Sequence, residues 1–448
     1  MAQSGQPAAV TAVSRTPNTT EVVLRSELPA SAADVFAWHE RLGALQRLIP
    51  PWMPARVLSS QGGICDGATV TLLVPLGPMS LRWDVEHVHR VEPIGPDRCV
   101  LEDRIIFRLP LAPLGPLVAG DFARDRIERM LQWRHALTRA DLQRHGAFAK
   151  HGAHRIAITG ATGFIGDALV PFLKGGGHEV ITVGRGTSSD VRWDPSRGAI
   201  DADGLAGVNV VIHLAGAPIA ERWTDEHKRE LRESRVKGTR LIAESCAAMD
   251  PRPDLLICAS AIGIYGSRGD EWLDDSSASG DDFLSDIGRE WEAAAEPARA
   301  AGIRVVHLRT GIVLSPGGGA LAKMITPFML GAGGRLGSGR QWMSWISRED
   351  LVGAIHFAMQ TPSLRGPVNL TAPEPVTNST FASTLGRVLH RPSFAAVPAF
   401  ALKAVFGEMA EATILASQRV RPAKLTAAGF QFLHPTLSSA LRFELGLL

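Results

Sequence analysis

The chain has 448 residues, 45% hydrophobic and 21% charged, with a formal net charge of +2. This balance is ordinary for a globular protein of two or three domains. It gives no case for a nucleic-acid partner or a membrane surface, and no apolar run approaches the roughly 20 residues that a membrane helix needs. Four cysteines, Cys65, Cys99, Cys246 and Cys258, form no CxxC pair and no metal-ligand spacing, which fits a reducing cytoplasm.

Residues 1–20 are rich in Ala, Ser, Thr and Pro, lack the apolar core of a signal peptide, and are expected to form a disordered tail. A first domain is expected over 21–142. Glu21 to Leu28 reads as a strand. Ser31-Ala32-Ala33-Asp34 resembles a capping box opening an amphipathic helix to Ile49, which Pro50, Pro51 and Pro54 end. Strand-like pieces follow at 68–74, 79–91 and 99–109. Leu81, Trp83 and Val85 alternate there with Arg82, Asp84 and Glu86, so one face is expected buried and the other wet. A long helix is expected from Asp121 to Leu142, with Ile127, Met130, Leu131 and Leu137 on one stripe. This α+β order resembles the helix-grip, START-like (SRPBCC, polyketide cyclase-type) fold. The resemblance implies an apolar ligand held between sheet and helix. His87 and His89 lie two apart on one strand, but no third ligand follows at a fitting spacing, so they read as strand-face histidines and no metal is expected. Residues 143–153, polar and rich in Arg and His, read as a linker, with His145, His151 and His154 solvated.

The stretch Ile156-Ala157-Ile158-Thr159-Gly160-Ala161-Thr162-Gly163-Phe164-Ile165-Gly166 is an apolar strand, a glycine turn and the start of a helix. Each glycine has a backbone task in such a unit. Gly160 turns the chain sharply, Gly163 lets the backbone approach a pyrophosphate, and Gly166 lets the helix pack on the strand. The helix N-terminus then offers N–H groups and a positive dipole end to phosphates. A second strand, His178 to Val183, ends in Gly184-Arg185-Gly186. NAD-preferring domains place a carboxylate there for the ribose hydroxyls, whereas a guanidinium suits a 2′-phosphate. Arg185 therefore favours NADP over NAD. Val208 to Gly216, Leu255 to Ser260 and Gly302 to Leu314 are further buried strands, with a helix from Glu226 to Met249 between the first two. The alternation means a doubly wound parallel α/β sheet over residues 154–390, with ligands at the carboxyl ends of the strands. Those ends nominate Gly160, Thr162, Gly163, Phe164, Ile165, Gly166, Arg185, Leu214, Ala215, Gly216, Ser260 and Arg309 for the cofactor.

The glycine turn, with Leu214-Ala215-Gly216, Ser260-Ala261-Ile262-Gly263-Ile264-Tyr265-Gly266 and Arg309-Thr310-Gly311, resembles an extended short-chain dehydrogenase/reductase. More narrowly it is similar to the epimerase family proteins of the NAD-dependent epimerase/dehydratase group. The narrower likeness rests on Arg192-Trp193-Asp194, Arg222-Trp223-Thr224, Ser234-Arg235-Val236, Trp291-Glu292 and Ala372 to Asn378. The C-terminal stretches Gly407-Glu408-Met409, Gln418-Arg419-Val420 and Ala428 to Phe432 resemble that group's own small C-terminal domain, expected over 391–448.

The resemblance implies hydride exchange between a nicotinamide and a carbon bearing a hydroxyl or carbonyl. A Ser or Thr would hold the oxygen, and a Tyr assisted by a Lys four residues later would move the proton. Here Phe283 stands at the tyrosine place, Ile287 at the lysine place and Ala261 at the Ser/Thr place. The one tyrosine of the chain, Tyr265, and Ser260 are the nominated catalytic residues, with Glu290 as a further acid/base. Three readings stay open: a reductase or epimerase with rearranged acid/base groups, an NADP-binding regulator without turnover, and an apolar-ligand binder. Gly337, Gln341 and Trp345, in the glycine-rich region after Gly331, are expected to line a substrate pocket, with Trp342 beside them in a pocket wall or interface. Asp350 is expected to cap a helix to Met359, and Asn369 to touch cofactor or substrate. Phe400 to Phe406 and Thr413 to Val420 are expected to be helical core.

Overall fold

The computed structural model describes residues 9–16, 19–53, 56–62, 68–76, 79–107 and 114–448; Cys65, Pro54 and the side chains of Leu81, Trp83 and Asp84 lie outside the described residues. Two compact units divide the chain. The first comprises Met1–Gly152, Lys174–Gly177 and Leu445–Leu448, and the second Ala153–Leu173 and His178–Glu444.

The first unit carries a six-stranded antiparallel sheet in the order β1-β2-β6-β5-β4-β3. Its strands are β1 (Ala9–Thr16), β2 (Thr19–Leu28), β3 (Arg56–Gln61), β4 (Ala68–Leu76), β5 (Met79–Gly95) and β6 (Arg98–Phe107). Its helices are α1 (Ala32–Glu40), α2 (Ala44–Arg47) and α3 (Leu114–Gly146). Period-two alternation puts Cys99, Leu101, Asp103, Ile105 and Phe107 on the inner face of β6, all buried. Val22, Leu24, Ile127 and Leu131 complete the core beside them, each fully buried aliphatic contributing about 1.5–3 kcal/mol.

Several expectations change here. Residues 9–16 form a strand of the sheet and not a tail, because their backbone pairs antiparallel with β2, with one irregularity between Val10 and Ala12. The expected helix to Ile49 breaks after Glu40, where Gly43 takes φ 100° and restarts the chain as α2. Its N-cap is Ser31, whose hydroxyl accepts from the Asp34 N–H at 3.1 Å and donates to the Asp34 carboxylate at 2.7 Å, so the carboxylate meets the hydroxyl in place of the Ser31 N–H of a full capping box. The long helix starts before Asp121 and runs past Leu142 into the expected linker, followed by a short 3-10 turn at Ala149–His151.

The second unit opens with β7 (Arg155–Thr159), α4 (Gly166–Gly175), β8 (Glu179–Gly184), β9 (Val191–Asp194), β10 (Ala199–Ile200) and β11 (Val210–His213). Then come α5 (Asp225–Ala248), β12 (Leu255–Ala261), α6 (Phe283–Ala293) and the strands Arg304–Thr310 and Gly366–Leu370. The eight-stranded order is β10-β9-β8-β7-β11-β12, then Arg304–Thr310 and Gly366–Leu370. All neighbours are parallel except β9 and β10. This is the doubly wound Rossmann-like α/β arrangement. The order reverses between β7 and β11, the crevice where such sheets bind ligands. Both faces are apolar: Ile156, Ile158 and Ile257 pack on one side, Ala157, Leu256 and Cys258 on the other. That is why these strands read as unbroken apolar runs.

The C-terminal segment is a helical cap within this same compact unit, with helices Ala399–Phe406, Ala423–Ala427 and Leu437–Glu444. The expected helix over 413–420 is instead a short turn at Ala410–Ile414 followed by an extended pair, Arg419–Val420, beside Trp272–Leu273. The helix at Arg348–Gln360 is capped by Ser347, not by Asp350. The Asp350 carboxylate accepts the Ser347 hydroxyl and the N–H groups of Leu433 and His434, tying the cap to the tail. No described helix is long and apolar enough to cross a membrane.

Candidate functional site

The carboxyl end of β7 carries the glycine turn. Gly160 takes φ 70°, and a Cβ there would lie 3.0 Å from the Ala215 nitrogen and the Leu214 carbonyl carbon. The turn therefore packs directly on the loop that follows β11. Gly166 opens α4 so close to the turn that a Cβ would sit 2.2 Å from the Gly160 oxygen. Thr162 and Gly163 are exposed between these two fixed points, while Phe164 and Ile165 are partly covered. The Phe164 ring lies against Gly318 and Gly319, so the loop after Leu314 closes one side.

The loop 214–216 is held by polar anchors that single residues do not advertise. Thr159 Oγ1 accepts the N–H groups of Leu214 at 3.1 Å and Ala215 at 3.2 Å, and bonds His213 Nδ1 at 2.7 Å. From α5, Ser234 Oγ accepts the Ala217 N–H and Arg235 donates to the Ala217 carbonyl. Arg235 also stacks over Trp291, 5.0 Å from its centroid, and burial pushes its pKa down to about 10. This explains why Ser234-Arg235 and Trp291 belong to the recognisable pattern: they shape the loop from behind. Gly216 remains exposed.

Burial lowers the pKa of His213 to about 4. Its folded value lies below the unfolded value near 6.5, so its contribution is complete above that value and is lost as pH falls toward 4. Acidification from pH 7.5 to 5 should cost about 2 kcal/mol through this residue alone. Urea unfolding of the wild type and of His213→Asn at both pH values measures it. The expected result is a smaller pH penalty in the variant; equal penalties would show that His213 is not the titrating group.

At the end of β8, Arg185 is exposed and makes no hydrogen bond or ion pair among the described residues. Its guanidinium is free to meet an anion.

The acid–base half departs from expectation. Tyr265 is fully buried. Its hydroxyl donates to Asn369 Oδ1 at 2.7 Å or to the Asp274 carbonyl at 2.9 Å, and accepts from Arg309 at 3.0 Å. Burial raises the phenol's pKa, an effect that Arg309 only partly offsets. Ser260 is buried and donates to Glu292 at 2.8 Å. Arg309 forms a two-pronged ion pair with Glu292, at 2.8 Å for each prong. Burial alone would raise the Glu292 pKa, but the guanidinium holds it below the usual carboxylate range. Tyr265, Ser260 and Arg309 therefore make a closed internal network whose hydrogen-bonding capacity is consumed by Glu292, Asn369 and the 274–275 turn. All three side chains are buried, and Asn369, itself fully buried, belongs to the same network. Glu292 is the network's hub, and sequence reading placed it only within the Trp291-Glu292 pattern.

The proton-relay places hold an apolar cluster. Ile287 packs with Trp223, Leu231 and Met409, and the Phe283 ring meets Trp223 edge-on at 5.3 Å. Glu290 is half exposed and paired with Arg232. The expected pocket residues are also structural. Trp345 is fully buried and donates to the Glu374 carbonyl, while buried Gln341 donates to the Leu336 and Ile414 carbonyls. Gly337 makes a φ 58° turn against Leu415. Trp342 is partly exposed and shares Arg419 with Trp272, the guanidinium lying 4.1 Å and 4.0 Å from the two rings.

In the first unit, a cavity of about 50 Å³ is lined by Ile49, Met53, Val85, Ile105 and Met130, with His87 and Arg134 also on its wall. That is room for a few waters, far below the volume of at least roughly 300 Å³ that a drug-sized ligand fills.

Comparison with known proteins accords with the glycine turn and the tail. The NAD dependent epimerase/dehydratase family matches residues 156–370, and a domain of unknown function, DUF1731, matches 397–444. An epimerase family protein of Mycobacterium bovis, Mb2239, is 44% identical over 292 residues, 64% of this chain and 96% of that relative. A Corynebacterium glutamicum structure, described as a nucleoside-diphosphate sugar epimerase, is 31% identical with a TM-score of 0.76, covering 95% of this chain and 90% of that one. The human epimerase family protein SDR39U1, solved with NADPH, is 34% identical with a TM-score of 0.60 over 66% of this chain and all of that one. With the doubly wound sheet, the glycine turn and the loop packed on it, these likenesses show that the chain belongs to the NAD dependent epimerase/dehydratase family.

Proposed function

We propose that the second unit binds NADP(H) and serves an oxidoreductase or epimerase reaction on a small substrate bearing a carbonyl or hydroxyl. The observation that carries the cofactor choice is Arg185: exposed, unpaired among the described residues, and placed at the end of the second strand where a ribose 2′-phosphate lies in this fold. The glycine cradle fits a dinucleotide, since exposed Thr162 and Gly163 flank a helix start with no side chain in the way of a pyrophosphate. The NADPH in the human relative's structure supports the same choice. When bound, the cofactor would supply or accept the hydride. The protein's part is to hold the phosphates on the turn, fix the loop 214–216 through Thr159 and Arg235, and keep the site beside α6 apolar through Phe283 and Ile287. Phe283 and Ile287 cannot relay a proton, so the proton that accompanies the hydride is assigned to solvent.

A second reading, binding without turnover, is favoured by one observation: Tyr265 and Ser260 are locked in an internal network. Residues 21–142 are proposed as a START-like companion domain; a cytoplasmic location and a small-molecule partner, with no nucleic acid or membrane involved, complete the reading.

Calorimetry with NADPH and NADH on the full chain tests the cofactor assignment. NADPH is expected to bind more tightly, and Arg185→Ala to lose about tenfold in NADPH affinity, roughly 1.4 kcal/mol, with NADH little changed. Equal affinity for both cofactors, or an indifferent variant, would sink the role of Arg185. Substrate-dependent NADPH oxidation across a panel of carbonyl compounds separates turnover from binding alone.

A further inference from the structure

Sequence spacing offers His87 and His89 with no third ligand; the sheet supplies one. In the antiparallel register of β5 and β6, His89 stands directly opposite Asp103, and His87 is opposite Ile105 on the same face. His89 Nδ1 lies 2.6 Å from Asp103 Oδ1, and His87 Nε2 lies 3.9 Å from Asp103 Oδ2. The His87 and His89 rings are 3.8 Å apart. One donor atom from each of the three residues falls within 4.8 Å of the others. We propose that His87, His89 and Asp103 form a binding site for a divalent first-row transition metal ion such as zinc, inside the first unit.

Four observations carry this beyond a chance cluster. First, the group sits inside the unit: Asp103 is 2% exposed, on the core-facing side of β6 between Leu101 and Ile105. A polar layer there separates two apolar clusters, one around Leu24, Phe107 and Leu131, the other around Leu28, Trp38 and Leu101. A buried carboxylate is tolerated only where partners or an ion meet it. Second, His87 Nε2 is buried with no hydrogen-bond partner among the described residues, although it faces the carboxylate. A lone ring nitrogen in that position is what a metal would claim.

Third, a further imidazole faces the carboxylate: His135 Nε2 on α3 lies 3.2 Å from Asp103 Oδ2 without a hydrogen-bond partner among the described residues, and its Nδ1 is bonded to Ser26 Oγ at 2.7 Å. Such an outer shell fixes a ligand's orientation at metal centres. His39, whose ring lies 5.2 Å from that of His89, spends its Nδ1 on the Val35 carbonyl and takes no part in this trio. Fourth, His87 borders the cavity of about 50 Å³, which leaves room for water at an open coordination position. Two imidazoles and one carboxylate are the donor set of open zinc and iron(II) sites. With one carboxylate and Arg134 on the cavity wall, a bound ion keeps net positive charge, so the open position favours hydroxide or another anion. On loading, the metal replaces the His89–Asp103 hydrogen bond: the ring proton moves to His89 Nε2, and Nδ1 presents its lone pair to the ion.

The test uses the full chain after dialysis against a chelator. Zn²⁺ titration by calorimetry is expected to show a stoichiometric site that His87→Ala and His89→Ala each weaken by at least about a hundredfold. Ser26→Ala, acting through His135, should weaken it by about tenfold or more, and exposed His151→Ala should leave it unchanged. Co²⁺ should give visible ligand-field bands in the wild type that are lost in His87→Ala. Should a variant fold poorly, the wild type alone decides: zinc must raise its melting temperature and Co²⁺ must give the bands. No stoichiometric binding, or binding that survives both histidine substitutions, overturns the proposal.

Discussion

Glu292→Ala is expected to destabilise the protein by about 3–5 kcal/mol, a large fraction of the stability of an ordinary domain. The reason is the charge it would strand. Arg309 is 8% exposed, and both prongs of its contact with Glu292 are 2.8 Å long. Burial opposes its charge, and Glu292 more than compensates, holding the guanidinium firmly protonated. Removing Glu292 leaves that charge in the interior with Tyr265 and the Asp275 carbonyl as its hydrogen-bond partners among the described residues. It also strips Ser260 of its acceptor. Replacing both members, Glu292→Met with Arg309→Met, should recover at least half of the loss, because an apolar pair of similar volume avoids the stranded charge. Urea unfolding of the two single variants and the double variant gives the coupling directly. If the single and double variants are equally unstable, the network matters through packing and not through charge. Because Tyr265 and Ser260 hang from this hub, Tyr265→Phe should act mainly on stability, in contrast with a catalytic tyrosine.

The distribution of what could be read from the sequence follows from where each constraint lies along the chain. The glycine turn was legible because each demand on it is local: Gly160 needs a left-handed φ, and Gly166 a helix start against a carbonyl oxygen. The parallel strands were legible because burial on both faces leaves unbroken apolar runs. Phe283 and Ile287 were legible as absences, and the structure gives them a positive role around Trp223 and Met409. The Tyr265 network was not legible. Its members are separated by 17 residues from Glu292 to Arg309 and by 104 from Tyr265 to Asn369, and nothing local marks a hydroxyl as spent. The same holds for Asp103, which meets His89 only through a strand register that turn geometry sets. Residues 9–16 misled for a different reason: a weakly apolar strand gains its place from the neighbour it pairs with, not from its own pattern. Gln341 and Trp345 misled because aromatic and amide side chains serve a pocket wall and a core equally well in sequence, and only partners such as the Glu374 carbonyl decide.

Gly166→Ala and Gly163→Ala should part company, and their difference isolates the phosphate-binding role of the turn. A Cβ on Gly166 would fall 2.2 Å from the Gly160 oxygen and 2.7 Å from the Ala161 Cα, both backbone atoms that cannot rotate away. Helix α4 must then move off the turn. The expected cost is about 1–3 kcal/mol of stability, as for other overpacked positions. Affinity for NADPH should fall by about tenfold or more, since the displaced helix start carries the phosphate-facing N–H groups. A Cβ on Gly163 meets only the Gly160 oxygen, at 3.2 Å, and otherwise faces open space on an exposed residue. Stability should then change little, while the methyl group occupies the approach of the pyrophosphate and NADPH affinity falls by about tenfold. Melting temperature and NADPH calorimetry on the two variants read both quantities. Loss of binding in Gly163→Ala at unchanged stability places the pyrophosphate on the turn. Undiminished binding in that variant would mean the dinucleotide passes elsewhere along the strand ends, and the role given to Arg185 would fall with it.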